Sequence, residues 1–235
     1  SPLADYTTEE LKQIKGWKGM ASHGNSHGQL RSKVSLLQND LPEQWLKWKQ
    51  LQTLQEVANQ GACGSCWAVT SATVLNTHRE IHHNVTDAPL SAQELVACVP
   101  NPQNCGGQGG CTGATVELAM TYTMQNGLAS EAAHPYLGSD EQCSKSVSSF
   151  MQVVSDDDLS ISGVRKAVQQ DKGLHMLKMH GWEKLPVNKY LPLMQALVTK
   201  GPVAVSVSAD GWEMYLNGIY GDCSKDAVID HAVTL

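Results

Sequence analysis

The sequence predicts an α+β chain, helical in its first half and β-rich in its second. Three observations carry this reading. Between residues 67 and 83, Trp67, Thr70, Val74, His78 and Ile81 recur at spacings of three and four, the period of one buried helix face. Residues 91–96 and 115–126 each open on a hydroxyl residue, Ser91 and Thr115, of the kind that caps a helix N-terminus. From Gly201 onward the period shortens to two, with Val203, Val205 and Val207 on one side and Ala204, Ser206 and Ser208 on the other, as a strand requires.

The elements follow in order. Thr7 with Glu10 three residues on forms a capping box and starts a short helix. Residues 19–38 are mostly polar and suit a linker open to proteolysis. The helix over 67–83 places Cys66 in its first turn. The 91–96 segment is a capped helix, and the 115–126 segment is an amphipathic one stopped by Gly127. Residues 146–182 fit no regular pattern, and the acidic run Asp156, Asp157 and Asp158 reads as a solvated loop. Residues 228–233 are apolar apart from Asp230 and His231 and read as a buried strand.

With 235 residues and 41% hydrophobic content there is enough chain for a substantial core. No apolar run approaches the ~18 residues that mark a membrane span. A net charge of −6 argues against a nucleic-acid partner and fits an acidic compartment. Asn84-Val85-Thr86 is a glycosylation sequon, usable if the chain enters the secretory route.

The chemistry concentrates in Cys63-Gly64-Ser65-Cys66-Trp67. Two cysteines so close also suit a metal or redox pair, but small residues leading into a helix favour a nucleophile at Cys66. A thiol with pKa near 8.5 is mostly protonated at neutral pH. Unpaired amides and the dipole at a helix N-terminus favour the anion, so a lowered thiol pKa is expected. The partner base must come from far along the chain, because His78, His82 and His83 lie at least three turns up the same helix. His231 in the apolar 228–233 run is the best of the nine histidines. His23 and His27, four apart, read as loop residues and not as a metal site.

Asn59-Gln60-Gly61-Ala62 followed by that pentapeptide and Ala68 resembles the nucleophile segment of papain-like cysteine proteases of the cathepsin L type. Asp230-His231-Ala232-Val233 is similar to the segment that carries the family's catalytic base. The resemblance implies a papain-like two-domain fold: a helical left domain and an antiparallel β-barrel-like right domain, with the active-site cleft between. It implies a cysteine-type endopeptidase in which Cys66 attacks, His231 moves protons, and Gln60 donates to the oxyanion. It further implies substrate binding by Gly64, Gly113, Ala114, Ser206 and Ala232, with no cofactor and no metal. Residues 66 and 231 stand 165 apart, more than the roughly 130–150 usual in the family, so an insertion is expected near 146–182.

Seven cysteines suit one nucleophile plus pairs. The resemblance pairs Cys63 with Cys111 and Cys98 with Cys143. Cys105 and Cys223 either bridge each other or stay unpaired, the second being favoured. A zinc site from Cys98, Cys105 and Cys111 lacks the two close pairs that such sites use.

Leu3-Ala4-Asp5-Tyr6-Thr7-Thr8-Glu9-Glu10-Leu11 resembles the end of a cathepsin L-type inhibitory propeptide. The implied division is 1–40 for propeptide and linker, 41–145 for the helical domain, and 146–235 for the β domain. Leu41-Pro42-Glu43 resembles a mature start, with Lys47 where the family has an aspartate before Trp48. The propeptide is expected to lie across the cleft as the chain's own inhibitor. The family's orienting asparagine, within Asn-Ser-Trp, is expected beyond Leu235, which reads as a zymogen fragment with a truncated right domain. The remaining expectations are a monomer acting on peptides or proteins, and a lysosomal, vacuolar or extracellular location. The alternative is an inactive homologue that binds peptides or partners.

Overall fold

The computed structural model describes residues 7, 10, 11, 15, 16, 41–143, 177, 179–221, 224 and 226–235. The 19–38 linker with His23 and His27, the Asp156–Asp158 run, Cys223 and most of the expected insertion lie outside the described residues.

Helix α1, Cys66–His83, is the axle of the molecule. Trp67, Thr70 and Val74 are buried as the spacing predicts, but so are Ala68, Ser71, Ala72, Leu75 and Thr77. The first turns are therefore covered around most of their girth, which small residues permit, while His78 and Ile81 are only partly buried. Helix α2, Ala92–Cys98, starts where Ser91 Oγ accepts the Glu94 N–H at 2.9 Å. Helix α3, Val116–Asn126, starts on Thr115 and stops at Gly127, whose φ of 77° is a left-handed value that favours glycine. Both ends match the local sequence signals.

These helices share one core around Trp67, Leu75, Leu95, Val96, Ala119, Met120 and Leu128. Inside it sits Glu94, 1% exposed. Its carboxylate accepts from the Ala129 N–H at 2.7 Å and the Tyr122 hydroxyl at 3.0 Å. A buried charge is tolerable only with such bonds, and this one ties α2 to α3 and to the chain that follows it.

Helix α4, Tyr190–Thr199, leads into the β half. Strand β1, Ala204–Val207, pairs antiparallel with β2, His231–Thr234, in the register Ser206 with Ala232 and Val207 with His231. Val203 and Leu235 exchange backbone bonds at 3.0 and 2.9 Å and lengthen the ladder. Among the described residues the sheet has these two strands. The described residues thus form an α+β arrangement, a helical part followed by a two-stranded antiparallel ladder.

One sequence expectation needs correction. The 228–233 run is not strand throughout: β2 begins only at His231, and Val228 is 71% exposed. Asp230 accounts for this, because its carboxylate accepts the Ala209 N–H at 3.0 Å and meets Lys15 at 2.9 Å, which draws the preceding chain away from the ladder. The period-two alternation from Gly201 onward does mark a strand, β1 over Ala204–Val207, in which Ser206 is exposed and the other residues are partly buried.

Candidate active site

Cys66 opens α1, and the backbone around it is fixed from three sides. The Cys63–Cys111 disulfide joins its approach to the 110–113 turn. The Gly64 N–H donates to Cys111 O at 2.9 Å, and the Trp67 indole N–H reaches Gly110 O at 3.2 Å. Ser65, the residue before the helix, makes no side-chain cap; its hydroxyl pairs instead with the Tyr136 hydroxyl at 2.5 Å. Tyr136 in turn donates to Gln60 O at 2.8 Å. It therefore ties the Gln60 loop to the helix start, a role nothing in its local sequence announces.

The Gln60 side chain donates from Nε2 to Cys63 O at 2.8 Å, which holds its amide in the loop leading to Cys66. The Thr70 hydroxyl donates to Ala232 O at 3.0 Å and clamps β2 against α1. This clamp places the Ala232 backbone amide where it favours the anion of the Cys66 thiol. His231 is the preceding residue. Its ring packs edge-to-face on Trp212, with centroids 6.0 Å apart, and its Nδ1 is buried with no hydrogen-bond partner among the described residues.

The N-terminal chain enters this cleft. Leu11 N–H bonds to Thr7 O at 2.9 Å and Lys15 N–H to Leu11 O at 3.2 Å, with the Thr7–Glu10 capping box intact. Gly16 then lies between Gly64 and Gly113, close enough that a β-carbon on Gly16 would stand 1.7 Å from Gly64 O. One on Gly113 would stand 2.1 Å from Gly16 O. The Gly16 backbone amide lies near enough to the Cys66 thiol to favour its anion. Beside it the Lys15 ammonium spans Asp210 at 2.6 Å and Asp230 at 2.9 Å.

This cover overturns one expectation. Burial pushes the Cys66 thiol above its ordinary pKa; N–H groups of Ala232, Gly16 and Trp67 pull it back only in part, and the Asp230 charge pushes the same way as burial. At 2% exposure desolvation outweighs the helix terminus. Burial likewise lowers His231, with Asp230 opposing and Lys15 assisting. Burial thus favours the neutral form of both groups.

Of the residues expected to bind substrate, Gly64, Gly113 and Ala232 surround Gly16 and Cys66. Ser206 is exposed and lies across the ladder from Ala232. Ala114 is fully buried, with its carbonyl turned to Gly106, so its side chain lines no open surface. Cys98 bridges Cys143 and Cys105 carries a free thiol. With Cys98 and Cys111 both in disulfides, the zinc alternative loses two of its three ligands.

The papain family cysteine protease profile matches residues 41–235. Mouse cathepsin K is 30% identical over 98% of this chain and 61% of its own length. A cathepsin L-like proteinase of Phaedon cochleariae is 28% identical over 94% of this chain and 58% of its own. In structure, the digestive procathepsin L2 proteinase from Tenebrio molitor larval midgut superposes with a TM-score of 0.72 at 27% identity, covering all of this chain and 67% of that one. The chain therefore spans about 60% of the length of the curated relatives.

Proposed function

Because the chain belongs to the papain family of cysteine proteases, we propose that it hydrolyses peptide bonds in peptides or proteins through Cys66 and His231. The observation that carries the reading is the meeting of the first turns of α1 with β2: the Thr70 hydroxyl, four residues after Cys66, donates to Ala232 O at 3.0 Å, so β2 and its first residue His231 are held against the helix end that carries Cys66.

With the cleft open, the Cys66 proton passes to His231 and the thiolate attacks the scissile carbonyl carbon. The carbonyl oxygen becomes an oxyanion held by the Cys66 N–H and the Gln60 amide. His231 gives its proton to the leaving amine, and the C–N bond breaks to leave an acyl-enzyme. Water then attacks that thioester while His231 takes its proton, which returns to Cys66 as the acid departs. Gly64 and Gly113 admit the substrate backbone closely because neither has a side chain. Ser206 and Ala232 line the neighbouring subsite. The buried Nδ1 of His231 is where the family's orienting amide carbonyl would attach.

Residues 1–40 act as the chain's own inhibitor, on the evidence of Gly16 over Cys66, with 41–145 and 146–235 as the helical and β domains. The two disulfides suit an oxidising compartment, in keeping with a lysosomal, vacuolar or extracellular location and a monomeric enzyme.

The test is labelling of the chain with an epoxysuccinyl peptide, followed by mass-spectrometric mapping. The adduct is expected on Cys66 and is expected to vanish in His231→Ala. Modification chiefly at Cys105, or labelling indifferent to His231, would overturn the assignment.

A further inference from the structure

The cleft holds a ligand of its own, and that ligand shows a chemical preference. Lys15 places its ammonium between Asp210 Oδ1 at 2.6 Å and Asp230 Oδ2 at 2.9 Å, its side chain 16% exposed. The Asp230 carboxylate and the Asp210 backbone are each held by a contact apart from the lysine. Asp230 accepts the Ala209 N–H at 3.0 Å, and the Asp210 carbonyl accepts the Tyr220 hydroxyl at 2.9 Å. Trp212, two residues past Asp210, rests against the His231 ring. The acidic pair therefore belongs to the wall that carries His231. Gly16, next to Lys15, occupies the wall formed by Gly64 and Gly113.

Reaction chemistry assigns a side to each wall. His231 must hand its proton to the leaving nitrogen, so the residue bearing that nitrogen lies on the His231 side. We propose that Asp210 and Asp230 form a cation-accepting subsite that selects substrates with lysine or arginine as the first residue after the scissile bond, Lys15 filling that subsite in the closed chain. The inference rests on the peptidase reading above. Lysine fits because one ammonium donates to both carboxylates at once, and charge-assisted bonds of this kind outlast solvent competition better than neutral ones. A glutamate placed there would face two like charges.

The experiment uses the full chain carrying Lys15→Ala, which empties the subsite. Internally quenched peptides that differ only in the residue after the cut, lysine, alanine or glutamate, are compared by kcat/KM. Residual competition from the N-terminal segment scales all three alike and leaves their ratios untouched. Lysine is expected to exceed alanine about tenfold, a modest factor because Asp210 is largely exposed, and glutamate to fall below alanine. Adding Asp210→Asn is expected to shrink the lysine-to-alanine ratio at least threefold. Equal handling of the three peptides, or a lysine preference that Asp210→Asn leaves intact, overturns the subsite. The affinities of the same peptides for the Cys66→Ala, Lys15→Ala chain provide a reading that needs no turnover. Lysine-selective binding without cleavage by the cysteine-bearing chain would sink the peptidase reading and leave the subsite standing.

Discussion

Replacing Gly16 by alanine should unlock the cleft. The added β-carbon would stand 1.7 Å from Gly64 O, 2.4 Å from Gly64 C and 3.0 Å from Gly64 Cα, all backbone atoms of a segment held by the Cys63–Cys111 bridge. Since ordinary contacts lie near 3.5 Å or beyond, residue 16 must retreat by well over an ångström. Gly113 packs against its carbonyl, and retreat also moves its amide away from the Cys66 thiol. Overpacking of this kind costs about 1–3 kcal/mol, which multiplies the open fraction by about 5- to 150-fold. The readout is the second-order rate of iodoacetamide alkylation at Cys66 in the full chain, mapped by mass spectrometry. Gly221→Ala serves as control, because a β-carbon there meets nothing within 4 Å. Alkylation of Gly16→Ala no faster than that of the parent, at an unchanged thermal midpoint, would refute the reasoning.

Further outcomes follow from single contacts. Gln60→Ala should lower kcat by about 10²–10³ through loss of an oxyanion donor, measured on a fluorogenic peptide per titrated active site; a loss under threefold removes Gln60 from the mechanism. Opening the Cys98–Cys143 bridge by a double alanine substitution frees a 45-residue separation and should cost about 4 kcal/mol in urea unfolding. Glu94→Ala strands the buried Ala129 N–H and Tyr122 hydroxyl and should cost about 3 kcal/mol or more, whereas a thermal midpoint within a degree of the parent would show that water takes over both bonds.

What the sequence discloses is chiefly what neighbours decide. Ser91 and Thr115 sit within three residues of the amides they cap, so both helix starts are legible. The Cys66 segment is legible for the same reason, as its motif and helix are contiguous. The state of its thiol is not, because burial there depends on Gly16, fifty residues earlier. Lys15 and Asp210 are 195 apart, and no local pattern joins them. The strand boundary at His231 misleads in another way: Val228 and Ile229 look like strand, yet Asp230 commits its carboxylate to Ala209 and Lys15. Tyr136 reaches Gln60 and Ser65 across more than seventy residues, and only the folded chain shows that its hydroxyl braces the loop.

The closed cleft also fixes how acidity should act on it. Burial holds His231 below its ordinary pKa, so the closed state prefers the neutral ring and an opened state binds the proton more readily. The sign follows from linkage: the contribution of a depressed group is present above its unperturbed value, near 6.5, and is lost as pH falls through that value toward the folded one. The raised Cys66 thiol acts oppositely, its contribution fading only as pH rises past the usual thiol range. Between the two limits both groups are neutral; below them, protonation of His231 favours release of the segment over it. Hydrogen exchange at the Gly16 amide, corrected for its intrinsic rate, should therefore lose protection between pH 7 and 5.5. His78, also depressed by burial, lies away from the cleft against Pro202 O at 3.0 Å, so a His231→Gln chain isolates the effect. Should that variant lose Gly16 protection over the same interval as the parent, some other group governs the cleft.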